Sequence, residues 1–142
     1  MRPIFISMLI LLKIIKIFLL ENKNNMNDDK KRHFRERMQE LHDKYCKQLP
    51  EKYREIEQGW KEYQTDFSNT DFFEAFYRYI HTLKGTAATF GFTKQADICF
   101  EVQKVLTDIQ DRHASPEDAI KIINEHLEEL KAHINTPAED ID

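Results

Sequence analysis

Apolar side chains recur along this sequence at intervals of three and four residues, and this spacing limits the fold more than any other feature. Five stretches show it, at residues 28–48, 50–67, 72–90, 93–112 and 116–134. Because an α-helix has about 3.6 residues per turn, the spacing places the apolar side chains of each stretch on one helical face. No stretch keeps the two-residue alternation of a strand. With only three glycines and four prolines, the chain is therefore predicted to be all-α.

The breaks between these stretches carry residues that suit helix ends. Pro50 marks a bend or a new helix start, and Gly91 suits the left-handed residue that follows a helix. Ser115 and Pro116 are typical of an N-cap and of a first helical position. Short connections make successive helices antiparallel neighbours. The predicted architecture is an up-and-down antiparallel four-helix bundle with an additional N-terminal helix, the stretch at 28–48.

Length and charge indicate one domain and exclude one class of partner. The bundle is expected at residues 26–137, between an apolar segment at 1–25 and an acidic tail at 138–142. The formal charge is −4, with both signs mixed throughout the chain. Nucleic acid is not an expected partner, because its binding requires a concentrated basic surface. We expect a monomer.

The N-terminal segment is a separate question. Apart from Ser7, Lys13 and Lys16, residues 3–20 are apolar, and about 18 to 20 residues is the lower limit for spanning a bilayer. Each lysine would cost about 2.5 to 3.5 kcal/mol at the centre of a span, although snorkelling relieves part of that cost. Two interpretations stay open: a membrane anchor, or a natural chain that begins at Met26. In both we expect a cytoplasmic domain, tethered to the inner face of the plasma membrane in the first case.

The cysteines and histidines do not form a recognisable metal-binding pattern. Cys46 and Cys99 lie far apart, and neither belongs to a C-x-x-C pair, so both are expected to be reduced thiols. His42 and Cys46 are one helical turn apart and could share a metal ion, but two ligands do not make a tetrahedral site. The sequence therefore predicts no metal site.

His81 opens the stretch HTLKGTAATFGF. Helical spacing places one apolar set within about 40° of the direction opposite His81. That set is Phe72, Phe76, Tyr79, Leu83 and Phe90. A second set lies within about 60° of His81 itself: Glu74, Tyr77, Arg78, Lys84, Gly85 and Ala88. The first set is expected to face the core, so the imidazole of His81 is expected to face solvent.

The residues beside His81 suit the handling of a phosphoryl group. Gly85 lies one turn further on, where glycine costs about 0.5 to 1 kcal/mol relative to alanine. A partner that brings its own surface against the imidazole would benefit from the space. Lys84 can steady a dianion, and a neutral imidazole is a competent nucleophile. The alternative is an inert surface histidine, with Gly85 as an accommodation to packing.

His81, Lys84, Gly85 and Gly91 fit the pattern H-x-x-K-G followed by five residues and glycine. This sequence resembles the histidine-containing phosphotransfer (HPt) domains of phosphorelays. The resemblance covers about residues 30–134 and includes the stretches LPEKYREIEQGWKEY and TAATFGF and the helix that carries Cys99.

The resemblance implies that His81 is the phosphorylated residue, that Lys84 stabilises the phosphoryl group, and that Gly85 gives access to a docking receiver domain. The implied partners are the receiver domains of a hybrid sensor histidine kinase and of a response regulator. The partner receiver would supply Mg²⁺, so no cofactor is expected on this chain. We expect Tyr77, Arg78 and Ala88, on the His81 face, to contact the partner.

Two other functions compete with the phosphocarrier. The bundle could sequester a receiver or a kinase without carrying phosphate. It could also act alone as a kinase or phosphatase, but the sequence has no glycine-rich ATP loop and no G-K-[ST] element. We therefore expect a phosphocarrier rather than a turnover enzyme, with no autonomous kinase activity.

Overall fold

The structure, a computed structural model, describes residues 12–17 and 27–135, and all regular structure within these two ranges is helical. A short helix, α1, covers residues 12–17. It is followed by α2 (Asp28–Thr65), α3 (Thr70–Thr89), α4 (Thr93–Gln110) and α5 (Pro116–Asn135). The all-α prediction is confirmed. The domain boundaries predicted at 25/26 and 137/138 lie outside the described residues.

Contacts group the chain into two compact units, and the boundary between them along the chain falls between Gln48 and Leu49. In the first unit Leu12 is buried, whereas Ile14 and Ile17 are exposed. The part of α2 in this unit carries exposed ion pairs at helical spacing, with Arg32 within 4 Å of both Asp29 and Glu36, and such pairs stabilise a helix only slightly. Within residues 12–17 and 27–135, no helix is long and apolar enough to cross a bilayer.

Pro50 lies inside α2, so of the two alternatives predicted for it, a bend or a new helix start, the new start is wrong. The predicted N-terminal helix at 28–48 is the first part of α2 rather than a separate element. Proline removes one intrahelical hydrogen bond and can cost about 3 kcal/mol. The helix continues because Pro50 is exposed while Leu49 and Tyr53 on either side are buried. Burial of these two side chains against the bundle offsets the missing hydrogen bond.

The second unit is a bundle of the last part of α2 with α3, α4 and α5. Between α2 and α3, the ring centroids of Trp60 and Phe76 are 5.3 Å apart, and those of Tyr63 and Phe73 are 5.6 Å apart. Residue numbers that rise along α2 therefore fall along α3, so these helices are antiparallel. In addition, α3 packs along α4, and α4 packs along α5.

Contacts between α2 and α5 close the bundle. The Tyr53 hydroxyl donates to the Leu127 carbonyl at 3.1 Å, and Trp60 Nε1 donates to Asn124 Oδ1 at 2.8 Å. Burial raises the pKa of Tyr53 to about 12, so this hydroxyl keeps its proton at neutral pH. The residue numbers again run in opposite directions along the two helices. The predicted up-and-down antiparallel bundle is confirmed.

Two helix ends follow the predicted chemistry. Gly91 has a φ of 84°, and the Phe92 N–H donates to the Ala87 carbonyl at 2.8 Å, a pattern typical of a Schellman C-terminus. Phe92 is buried, so the turn between α3 and α4 is fixed by packing as well. At the start of α5, the Asp118 N–H donates to Ser115 Oγ at 3.2 Å, as expected of an N-cap.

The residues just after α3 and α4, Gly91 and Arg112, have left-handed backbone conformations. Substitutions at the two positions should therefore change the stability in opposite directions. Gly91 has nothing within 4 Å of an added Cβ, so only backbone strain opposes alanine there. Gly91→Ala should lower the free energy of unfolding by about 1 kcal/mol. Arg112 has a φ of 62°, so Arg112→Gly should raise the free energy of unfolding by about 0.5 to 1 kcal/mol.

Urea unfolding followed by circular dichroism measures both changes. Arg112→Ala is the control, because it removes the side chain but keeps the strained backbone, and it should lie within about 0.5 kcal/mol of the unsubstituted chain. Equal stability of the Gly91→Ala and unsubstituted chains would contradict the role given to Gly91.

Candidate functional site

His81 lies on the outer face of α3 and is exposed, as helical spacing predicts. The opposite side of the helix is buried in the bundle through Phe76, Ile80, Leu83 and Ala87. These four residues follow one another at intervals of four, three and four, which places them on one face. A rigid, buried face thus holds a solvent-accessible imidazole.

The buried face of α3 is rotated relative to the prediction. Three residues predicted to face the core are only half-buried: Phe72, Tyr79 and Phe90. Ile80 and Ala87 are buried instead. The reason is that α3 packs against both α2 and α4, so its buried direction lies about 130° from His81 rather than opposite. As a result, His81 lies beside α4.

Gln103 of α4 is in contact with His81. Its Oε1 lies 3.3 Å from His81 Nδ1, and its Nε2 donates to the Tyr77 hydroxyl at 3.0 Å. An amide oxygen can only accept a hydrogen bond, so this contact is a hydrogen bond when the proton of a neutral imidazole lies on Nδ1. The lone pair of the ring is then on Nε2.

Tyr77 lies one turn before His81 and stacks on its ring. The two centroids are 6.1 Å apart, and the ring planes are inclined by 11°. Phe73, a further turn back, stacks on Tyr77 at 6.1 Å with an inclination of 23°. Tyr77 is half-buried, so the structure gives it contacts within the chain, and its predicted contact with a partner stays a prediction.

Two lysine ammonium groups on the side of His81 that faces α4 lie over the ring of an exposed phenylalanine. Lys84 Nζ lies 5.5 Å from the centroid of Phe100, and Lys104 Nζ lies 5.1 Å from it. Both distances are within the range of cation–π attraction. Phe100 is 46% exposed, which is high for a large apolar side chain. Lys104 also contacts Glu101 Oε2 at 3.0 Å.

The remaining predicted residues lie on or near the same face. Gly85 is half-buried, and Ala88, one turn later, is exposed. Arg78 is half-buried, and its guanidinium lies 5.8 Å from the centroid of Tyr79. Tyr79 packs beside Gly59 of α2, so Arg78 leans towards α2 whereas Lys84 leans towards α4.

Gln103 and Phe100, the two residues that α4 contributes, are not predicted from the sequence. Nothing in their local sequence marks them, because each is one residue on an amphipathic helix. A register argument could have found them. His81 and Gln103 are equally distant from Phe92 in the turn, and so are Lys84 and Phe100. Antiparallel helices joined by a tight turn bring such residues to the same level.

Neither Cys46 nor Cys99 forms a disulfide bond within the part of the chain that the structure describes. Burial raises the pKa of the Cys99 thiol to about 12, against the opposing effect of the Lys84 charge, so Cys99 is a thiol rather than a thiolate at neutral pH. His42 Nδ1 lies 4.0 Å from Cys46 Sγ. Among residues 12–17 and 27–135, no three histidine, cysteine or acidic side chains are grouped to hold a metal ion.

Comparison with known proteins identifies the family. The family model for the Hpt domain matches residues 33–133. The chain therefore belongs to the Hpt domain family, whose members carry out histidine phosphotransfer in phosphorelays and interact with the receiver domains of kinases and response regulators. Compared with curated proteins and with solved structures, the chain has no significant match.

Proposed function

We propose that this chain accepts a phosphoryl group on Nε2 of His81 from a receiver aspartate and passes it to the aspartate of another receiver. The observation that carries this proposal is the exposed imidazole whose Nδ1 contacts Gln103. With the proton held at Nδ1, the nucleophilic lone pair is on Nε2.

The transfer step needs little from the protein beyond position and charge. The Nε2 lone pair attacks phosphorus, an N–P bond forms, and the P–O bond to the donor aspartate breaks. The aspartate leaves as a carboxylate, while the imidazole keeps its proton on Nδ1. The ring becomes more positive during the step, and the Gln103 carbonyl, 3.3 Å from Nδ1, stabilises that charge. The reverse step delivers the phosphoryl group to the next receiver.

Lys84 supports the phosphorylated state. Its ammonium belongs to the α3 edge that faces α4, one turn after His81, where it lies over Phe100. A positive charge there lowers the free energy of a dianionic phosphoryl group on the imidazole. Mg²⁺ is supplied by the docked receiver, and this chain acts as a phosphocarrier without a cofactor of its own.

Small side chains leave the approach to His81 open. Gly85 and Ala88 follow it at one and two helical turns, so the α3 surface there is close to bare backbone. A receiver of a hybrid sensor kinase and a receiver of a response regulator dock here in turn. Tyr77, Arg78 and Ala88 border the same face and are the proposed contacts with the partner.

His81→Gln tests the proposed acceptor. Incubation of the unsubstituted chain with a phosphorylated partner receiver should give an acid-labile, base-stable label, and ¹⁵N NMR should place that label on Nε2. The substitution should lower labelling by at least about 100-fold, because glutamine offers no comparable nucleophile. His113→Gln is the control, since His113 is exposed in the connection after α4, and it should be labelled normally.

Persistence of the label in His81→Gln would refute the assignment of the acceptor. Receiver binding and signalling output that are both unchanged in His81→Gln would favour a protein that only sequesters its partner. Labelling of His81 by ATP alone would indicate an autonomous kinase.

Gly85→Glu tests the docking surface. Glutamate is a better helix former than glycine by about 0.5 to 1 kcal/mol, so helicity and the urea midpoint should be kept. Transfer should fall by at least about tenfold, because a bulky anion then lies beside the anionic pocket of the receiver. Comparison of Gly85→Gln with Gly85→Glu separates the effect of size from that of charge. Extensive unfolding of Gly85→Glu would mean that Gly85 serves packing instead.

A further inference from the structure

We propose that Tyr77 is a positioning residue that decides which nitrogen of His81 carries the lone pair, and that it acts through Gln103. This inference rests on the proposed function, since it concerns the reactivity of the same imidazole. Tyr77 was expected to contact a partner. Within the chain, the structure joins it both to the imidazole and to the amide that faces the imidazole.

Tyr77 is itself held firmly by the bundle. Phe73 stacks on it, and the ring of Tyr63 meets Phe73 edge-on, with centroids 5.6 Å apart. Tyr63 is buried, with 1% of its surface exposed. A continuous row of aromatic rings therefore links the core to Tyr77, and the position of its hydroxyl follows from core packing.

The Tyr77 hydroxyl holds Gln103 in place. A glutamine side chain on a helix surface loses much rotamer freedom when it is fixed, and one neutral hydrogen bond gains no more than that loss. The contact between Gln103 Oε1 and His81 Nδ1 is long, at 3.3 Å. The 3.0 Å hydrogen bond to Tyr77 is the second hydrogen bond of this amide, and the two together offset the loss of rotamer freedom.

The orientation of this amide matters for reactivity. With its NH₂ group at Tyr77, the amide presents its oxygen to Nδ1, so the imidazole proton stays on Nδ1 and Nε2 keeps its lone pair. When the amide is free to turn or move away, water replaces it, and part of the imidazole population carries its proton on Nε2. That fraction cannot attack phosphorus through Nε2.

The stacking of Tyr77 on His81 and its hydrogen bond to Gln103 are separable by substitution. Tyr77→Phe keeps the ring that stacks on His81 and removes only the hydroxyl. Gln103→Leu removes the amide, and Gln103→Glu restores an acceptor for Nδ1–H in the same position. Tyr79→Phe is the matched control, because Tyr79 is a half-buried tyrosine of the same helix that packs towards Gly59 of α2.

The experiment is ¹⁵N NMR of the His81 imidazole in the unphosphorylated full chain, at about pH 9, well above the usual pKa of histidine side chains. In the unsubstituted chain the form protonated on Nδ1 should predominate. The ratio of this form to the form protonated on Nε2 should fall about fivefold in Tyr77→Phe, which is the value of one neutral hydrogen bond. Gln103→Leu should lower it at least as much, and Gln103→Glu and Tyr79→Phe should preserve it.

A double variant tests whether Tyr77 acts through Gln103. In the Gln103→Leu background, Tyr77→Phe should cause no further change in the ratio, because the intermediary is already absent. Phosphorylation of His81 by phosphoramidate, a small donor that needs no receiver, should slow in step with the fraction protonated on Nδ1.

An unchanged ratio in Tyr77→Phe would overturn this inference, whether or not the chain transfers phosphate. A further fall in the double variant would also overturn it, because Tyr77 would then act directly on the imidazole. A shifted ratio in a chain that receivers fail to label would support the role of Tyr77 and refute only the proposed function.

Discussion

The packing of α3 against both α2 and α4 determines where every residue of the site lies. Aromatic contacts from α2 and close packing along α4 fix the rotation of α3 about its own axis. The buried direction is set by Phe76, Ile80, Leu83 and Ala87. His81 is then exposed yet adjacent to α4, where Gln103 and Phe100 reach the site. A rotation of one residue position, about 100°, would remove His81 from either solvent or α4.

The site combines a rigid side and an open side. On the side of α4, Tyr77 and Gln103 hold the imidazole, and Lys84 and Lys104 lie over Phe100. Half-buried Gly85 and exposed Ala88 carry no side chain beyond Cβ, and theirs is the side that we propose as open to a partner. This division suits a phosphocarrier, because the nucleophile must be oriented before the encounter while the surface must accept more than one receiver.

Local features of the structure could be predicted from the sequence, whereas features that depend on packing could not. Exposure of His81, the left-handed Gly91 and the cap at Ser115 follow from residues within a few helical turns. Continuation of α2 through Pro50 and the rotated core face of α3 depend on what packs against each helix. The position of Gln103 beside His81 is intermediate between local and packing-dependent features, because it follows from the register that the turn at Phe92 imposes on α3 and α4.

Solvent paramagnetic relaxation of aromatic side-chain protons, induced by an uncharged gadolinium chelate, tests the rotation of α3 most directly. We expect strong relaxation for the ring of His81, intermediate relaxation for Tyr77 and Tyr79, and almost none for Phe76, which is fully buried. Protection of His81 as complete as that of Phe76 would contradict this rotation of α3, because the imidazole would then lie in the core and could not meet a partner.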